Sequence, residues 1–326
     1  MKAIVHVAPN RVEWQDWPMP QPGAGEVRIR TLACGICATD LEMIAGWKRT
    51  GVPAIPGHEW SGVVDAVGPG GDPALLGKFC VAENVLADGG EVGFEHSGGY
   101  GQYLVTEARN VYLLPESFPP TTAALIEPLA VCVRAVGRLR LEDRRSALIF
   151  GDGPIGLLML LLLRWVNVEC VAVVGGRAAR LALAEEFGAT AALNYHDVGG
   201  SLEQSIAALP GAPFANVIEA SGSPAGMRAA LDVAARAGKI LMIGDYATAR
   251  ADFPWNNILH GELELIGSNA SAGVWPEAVR LATTGAVPLD RLVSRRLPAS
   301  SYAEGLELVR NSRDLVKVVL EWDASG

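Results

Sequence analysis

Two short stretches of this chain carry side chains able to hold a metal. Cys34-Gly35-Ile36-Cys37-Ala38-Thr39-Asp40 offers two thiols and a carboxylate, and Pro56-Gly57-His58-Glu59 adds an imidazole and a second acid. Thiolate, imidazole and carboxylate make up the ligand set of a catalytic zinc, which takes three protein ligands and keeps a fourth position for water or substrate. The Cys-x-x-Cys spacing alone also suits half of a structural zinc site or a redox pair, and lone thiols of this kind are most often plain buried residues. The nearby His58-Glu59 tips the reading to a metal. A third stretch, Gly151-Asp152-Gly153-Pro154-Ile155-Gly156, follows the apolar run Ser146-Ala147-Leu148-Ile149-Phe150 and opens into Leu157-Leu158-Met159. A G-x-G-x-x-G between a strand and a helix is the setting in which glycines serve a dinucleotide. Gly151 permits the tight turn, Gly153 lets backbone approach a pyrophosphate, and Gly156 lets the helix lie close to the strand. The helix N-terminus then presents free N–H groups and a positive dipole end to the phosphates.

These residues need two kinds of scaffold. From Met1 to about Leu114 the chain reads as β-rich: Val27–Leu32 alternates like a half-buried strand, and Gly62–Val67 is a second, with a proline- and glycine-rich loop ahead of the first. From Thr121 the rhythm becomes helix and strand. Residues 121–139 read as one helix interrupted near Pro128. Six short apolar strands follow, at residues 146–150, 169–174, 191–194, 216–219, 239–243 and 264–267. A helix over Arg177–Phe187 should stop at Gly188, and Ser223-Pro224 should begin another as a cap followed by a first-turn proline. Such alternation predicts an α/β fold whose parallel sheet is doubly wound, of Rossmann type, joined to a β-rich domain. Beyond Ser268 the pattern looks irregular until a helix at Tyr302–Arg310 and a strand at Leu315–Glu321, which should return to the first domain. The expected division is residues 1–125 completed by 269–326, with 126–268 as the dinucleotide-binding domain.

Half of the 326 residues are hydrophobic and 19% are charged, which describes a folded chain, and the net charge of −9 argues against nucleic acid or an acidic membrane surface as partner. The longest apolar stretch, Ile155 to Leu163, is about half of the ~20 residues a bilayer span requires. The start, Met1-Lys2-Ala3-Ile4-Val5-His6, enters a strand directly and lacks a signal-peptide pattern, so the cytoplasm is the expected compartment. Five cysteines in a chain of this length do not form a disulfide framework.

Taken together, Gly35-Ile36-Cys37-Ala38-Thr39-Asp40, Gly57-His58-Glu59, Glu127-Pro128-Leu129-Ala130 and the glycine motif give a sequence that resembles the zinc-dependent medium-chain alcohol dehydrogenases, in particular the sorbitol and threonine dehydrogenase branch. The resemblance spans essentially the whole chain and implies that the β-rich domain is GroES-like. It implies Cys37 and His58 as zinc ligands, Glu59 as a ligand or an exchanging neighbour, and Glu127 beside the metal as ligand or as holder of its water. It gives Asp40 the role of orienting the ligands from behind and leaves Cys34 out of the set. Thr39 would bond the substrate oxygen and pass its proton on, so that Thr39, Asp40 and Glu59 form the catalytic group. The cofactor would lie on Gly151, Gly153, Pro154, Ile155 and Gly156, with Gly175, Arg177, Arg180, Ser221 and Gly244 around it. A small-molecule alcohol or ketone would be the substrate, and a homo-oligomer, dimer or tetramer, the assembly. Within the same superfamily a zinc-free quinone or enone reductase is the competing reading, and outside it a non-catalytic nucleotide-binding protein.

Two departures from the family pattern carry information. Many relatives hold a second, structural zinc on four closely spaced cysteines, whereas the region from Cys80 to about Gly99 is short and has one cysteine, so one catalytic zinc and no structural zinc are expected. NAD-preferring relatives end the second strand of the nucleotide domain with an acid for the adenine ribose. Here Val173-Val174-Gly175-Gly176-Arg177-Ala178-Ala179-Arg180 puts a glycine there with two arginines behind it. Guanidinium groups in place of a carboxylate suit a 2′-phosphate, so NADP(H) is expected ahead of NAD(H). In addition, Glu42 stands where relatives often carry a histidine for proton exit. His96 reads as a surface residue, and Trp47, Trp60, Phe94 and Trp255 as core or pocket aromatics.

Overall fold

In the computed structural model, which describes residues 1–47 and 49–323, the N-terminal part of the chain forms seven strands: β1 (Lys2–Ala8), β2 (Arg11–Asp16), β3 (Glu26–Ile36), β4 (Glu59–Val67), β5 (Phe79–Ala82), β6 (Tyr103–Glu107) and β7 (Val111–Leu113). Helix α1 (Ala38–Ala45) follows β3 directly. The alternation at Val27–Leu32 thus sits within a longer strand whose second half, Ala33-Cys34-Gly35-Ile36, is buried on both faces. Small residues of modest β propensity are tolerated there because β4 and the chain's last strand flank them. Next come α2 (Pro120–Ala123) and α3 (Ile126–Leu139). The break falls at Ala124-Leu125, ahead of Pro128 and not at it. Pro128 occupies the first turn of α3, where a missing N–H forfeits no intrahelical bond.

The six strands expected downstream are all present: β8 (Ser146–Phe150), β9 (Cys170–Gly175), β10 (Ala191–Asn194), β11 (Phe214–Glu219), β12 (Ala234–Met242) and β13 (Glu264–Gly267). They form one parallel sheet in the order β10-β9-β8-β11-β12-β13. The order reverses between β8 and β11, the point where doubly wound sheets bind ligands. Helices α4 (Pro154–Trp165), α5 (Ala178–Glu186), α6 (Leu202–Ala207), α7 (Pro224–Val233) and α8 (Trp255–Gly261) connect the strands. Seven consecutive residues of α4, Leu157 to Leu163, are buried, as a helix apolar all round must be. Ser223 caps α7 by accepting from the Gly226 N–H, with Pro224 in the first turn, as its sequence predicts.

The stretch after Ser268 is less irregular than its sequence suggests. Trp275, Ala278, Leu281 and Ala282 face inward on α9 (Trp275–Thr283), where Trp275 stacks on Tyr112 at 5.9 Å. Alanines at two of those four positions kept the apolar face from standing out. Then come β14 (Val293–Pro298), α10 (Tyr302–Asn311) and β15 (Lys317–Glu321). β15 runs antiparallel to β3, with Leu320 opposite Cys34, and so enters the β-rich sheet in the order β14-β15-β3-β4-β5-β7, with β6 also paired to β3. Two compact units result, residues 1–130 with 272–326, and residues 131–271. Each has its own core, the first around Ile4, Ile29, Trp60 and Leu104, the second around Leu148, Phe214, Val217 and Ile240.

Candidate functional site

In the first unit, β3 ends at Ile36 and Cys37 caps α1 in an extended conformation (φ −101°, ψ 156°). Asp40, one turn into the helix and fully buried, accepts from the Cys37 N–H at 2.9 Å and from the Tyr100 hydroxyl at 3.1 Å. These bonds fix the thiol's position at the strand–helix junction. His58 and Glu59 arrive at the start of β4 from Gly57 (φ +95°), whose added Cβ would lie 2.5 Å from the Tyr100 ring and 2.8 Å from Cys34 Sγ. Only glycine brings the imidazole in at that angle.

One ligand atom each from Cys37, His58 and Glu59 lies within 4.8 Å of the others. His58 Nδ1 is 3.5 Å from Asp40 Oδ1, and neither atom has a hydrogen bond. Glu59 gives one carboxylate oxygen, Oε1, to Lys317 Nζ at 2.6 Å, while its buried Oε2 has no partner. Buried polar atoms are rarely left unpaired. Thiol, imidazole and carboxylate converging with orphaned atoms among them fit a divalent cation of zinc type. Thr39, half-buried, accepts from the Cys37 thiol at 3.6 Å. Glu127, in the first turn of α3, lies outside this trio, yet close enough to sense the charges of His58 and Glu59.

The electrostatics follow from burial and neighbours. Desolvation opposes charge on His58, but Asp40 and Cys37 more than offset it and hold the imidazole well above its ordinary value. Desolvation pushes the Glu127 carboxyl up to about 7, against the pull of His58. Burial disfavours the cation on Lys317, yet Glu59 beside it raises the amine to about 12. Burial raises the Cys34 thiol well above the usual range, and that side chain packs in the apolar core beneath the site. Phe94 stacks on the His58 ring at 4.8 Å, Trp47 meets Phe94 edge-on at 6.4 Å, and the Arg49 guanidinium covers Phe94 at 4.3 Å. Arg49 is also bonded to Glu91 and Glu95. His96 is a surface residue paired with Asp88 at 2.9 Å.

Lys317 went unassigned in the sequence, although a lone lysine in the apolar run Val316-Lys317-Val318-Val319-Leu320 signals a buried cation in search of an acid.

In the second unit, Gly151 (φ +117°) turns the chain out of β8, and its N–H bonds to the Val174 carbonyl at 2.8 Å. A Cβ on Gly156 would lie 1.9 Å from the Gly151 carbonyl oxygen, so the helix reaches the strand only because that residue has no side chain. A Cβ on Gly153, the N-cap of α4, would meet nothing within 4 Å, and this open cradle at a helix N-terminus fits a pyrophosphate. Pro154 and Ile155 are partly exposed beside it. Gly175 ends β9, and Arg177 and Arg180 both approach Asp152, at 3.0 Å and 3.9 Å. Across the switch point, buried Glu219 gathers two loops. Its carboxylate accepts from the Ser221 N–H and hydroxyl, from the Gly222 N–H at 3.1 Å and from the Tyr246 hydroxyl at 2.5 Å, while its carbonyl accepts from the Gly244 N–H at 3.0 Å. Ser221 and Gly244 are thereby brought together at the carboxyl ends of β11 and β12.

Comparison with known proteins finds a match for each of the two units. The profile of the alcohol dehydrogenase GroES-like domain matches residues 23–116, and that of the zinc-binding dehydrogenase domain matches residues 154–284. The D-arabitol-phosphate dehydrogenase of Enterococcus avium is 26% identical over 98% of this chain and 97% of its own. An alcohol dehydrogenase from E. coli CFT073, solved with NADH, superposes with a TM-score of 0.91 at 27% identity over 98% of this chain and 99% of that one. A zinc-binding dehydrogenase from Sinorhizobium meliloti 1021, bound to NADP, gives 0.90 at 26% identity over 98% of each chain.

Proposed function

The chain belongs to the zinc-dependent medium-chain alcohol dehydrogenase superfamily, and from that premise we propose that it interconverts a secondary alcohol, polyol-like in character, with its ketone, exchanging hydride with NADP(H). The observation that carries this reading is the convergence of Cys37, His58 and Glu59 within 4.8 Å around unpaired buried atoms. Those three residues would hold the zinc, with Glu127 nearby. When bound, zinc supplies a Lewis acid for an alcohol or carbonyl oxygen, and the nicotinamide supplies the hydride carrier.

The chain's own residues do the rest. Asp40 holds the Cys37 backbone and lies against His58, so the ligand atoms are placed before substrate arrives. Lys317 ties up one Glu59 oxygen, Oε1, and leaves Oε2 without a protein partner. The Thr39 hydroxyl bonds the substrate hydroxyl and hands its proton onward. Phe94, backed by Trp47, forms an apolar wall over His58 that keeps water from its ring face. In the second unit, the Gly151–Gly156 turn cradles the pyrophosphate. Two guanidinium groups against one carboxylate leave net positive charge beside Gly175, which favours a 2′-phosphate.

Purified protein should contain zinc and oxidise secondary polyols with NADP+. Chelation should abolish turnover, and zinc should restore it. Protein that contains zinc and binds cofactor but turns over no alcohol would refute the catalytic assignment. Activity that survives complete removal of metal would refute the role of zinc.

A further inference from the structure

The acid that is missing from the end of β9 has a spatial replacement. Asp152, the first variable residue of the glycine motif, sends its carboxylate beneath Gly175, where a Cβ would lie 2.6 Å from Asp152 Cβ and Oδ2. Its side chain is 3% exposed and every contact faces the β9 end: Oδ2 accepts from the Gly176 N–H at 2.9 Å and the Arg177 N–H at 2.8 Å, while Oδ1 accepts from Arg177 Nη1 at 3.0 Å and lies 3.9 Å from Arg180 Nη1. The Arg177 side chain is 42% exposed and that of Arg180 11%, so the buried carboxylate draws two arginines in from the protein's edge. An acid at position 175 and this aspartate would compete for the same space, and the chain has the aspartate.

We propose that Asp152 is the positioning residue for cofactor discrimination: it holds Arg177 and Arg180 as a preset pair at the adenosine ribose, so that selectivity for a 2′-phosphate depends on a residue of the pyrophosphate loop. This rests on the NADP(H) reading above. Without the carboxylate, Arg177 loses its hydrogen-bonded partner and Arg180 a nearby opposite charge, and the pair must be ordered anew when the phosphate binds. NADH, which lacks the phosphate, gains nothing from that preset pair. Asp152 therefore acts on one cofactor and leaves the other nearly alone. A residue that merely supported the loop would act on both.

Fluorescence titration of the purified full chain with NADPH and NADH tests this, using wild type, D152N and D152S, with a thermal melt of each. Asparagine keeps an oxygen for the loop N–H groups and removes the charge, and serine offers a smaller hydroxyl should the amide not be accommodated. The expected result is a roughly tenfold weakening for NADPH with NADH changed by less than about twofold. Equal weakening for both cofactors would overturn the proposal, since Asp152 would then only shape the loop. Tighter NADPH binding would overturn it too, since the carboxylate would be repelling the phosphate. The wild-type ratio tests the NADP(H) reading by itself, whereas the change of that ratio in the variants tests Asp152. A wild type that favours NADH ends the first, and a ratio the variants do not move ends the second.

Discussion

Replacing Lys317 by methionine separates the reasoning about the metal site from any assumption about catalysis. The ammonium and the Glu59 carboxylate are 2.6 Å apart, with side chains 3% and 2% exposed. A lysine held at about 12 against its ordinary 10.5 is stabilised as the cation by about 2 kcal/mol. Removing it does more than forfeit that sum, because the buried Glu59 carboxylate loses the cation bonded to it. Loss of one partner of a buried pair costs about 3–5 kcal/mol, and K317M should fall in that range. Because the folded value lies above the unfolded one, the contribution is fully present below about 10.5 and is lost as the pH rises through 12, so the deficit should be constant from pH 7 to 10. The assay is a double-mutant cycle of K317M, E59Q and the double variant, with and without zinc. It is read by denaturant unfolding and by hydrogen exchange of β3 and β15, which reports on that sheet directly. The double variant should be more stable than the sum of the singles predicts by about 2 kcal/mol or more. A K317M protein within about 1 kcal/mol of wild type, or singles that add, would refute the argument, because the pair would then not be sealed from solvent.

Other outcomes follow from the same geometry. D40N removes the charge facing His58 while keeping an amide near the Cys37 N–H, and should weaken zinc retention or turnover about 10- to 100-fold, read by metal analysis and initial rates. Unchanged zinc content and rate would mean that Asp40 serves only the helix cap. G156A places a methyl against the Gly151 carbonyl, so the turn must open at a strain of about 1–3 kcal/mol. NADPH titration should show binding largely lost while zinc content stays at the wild-type level, and normal affinity would contradict the close packing. G175D alone should lower thermal stability because Asp152 fills the space, whereas D152G with G175D should regain stability and favour NADH. Equal stability of the two variants would show that the aspartates do not compete.

The dinucleotide unit was legible almost strand by strand, because its buried parallel strands are continuous apolar runs bounded by glycine and proline. β10 and β13 have the limits their sequence predicts, and β8 likewise. The metal trio was legible as residue types at a known spacing, and the structure brings three of the four nominated ligands into one cluster while Glu127 lies outside it. Contacts between residues far apart in the chain were not legible. Asp152 stands in a motif position open to any residue, and its significance comes from partners 24 and 25 positions away. Local grammar misled at Pro128, since a proline breaks a helix from within but not from its first turn. The inward face of α9 was hidden by alanine, whose small apolar surface carries little periodic signal.

The salt bridge between Glu59 and Lys317 joins residues 258 positions apart. At a synthesis rate of ~5–20 residues per second, the acid waits roughly 13 to 52 s on the ribosome before its cation is made. Over that interval Cys37, His58 and Glu59 are already made and β3 has β4 and β6 to pair with, but the strand that covers Ala33–Ile36 on the other side and carries the Lys317 ammonium does not yet exist. This part of the sheet and the charge balance at Glu59 are therefore completed together in one late step, when β15 pairs with β3.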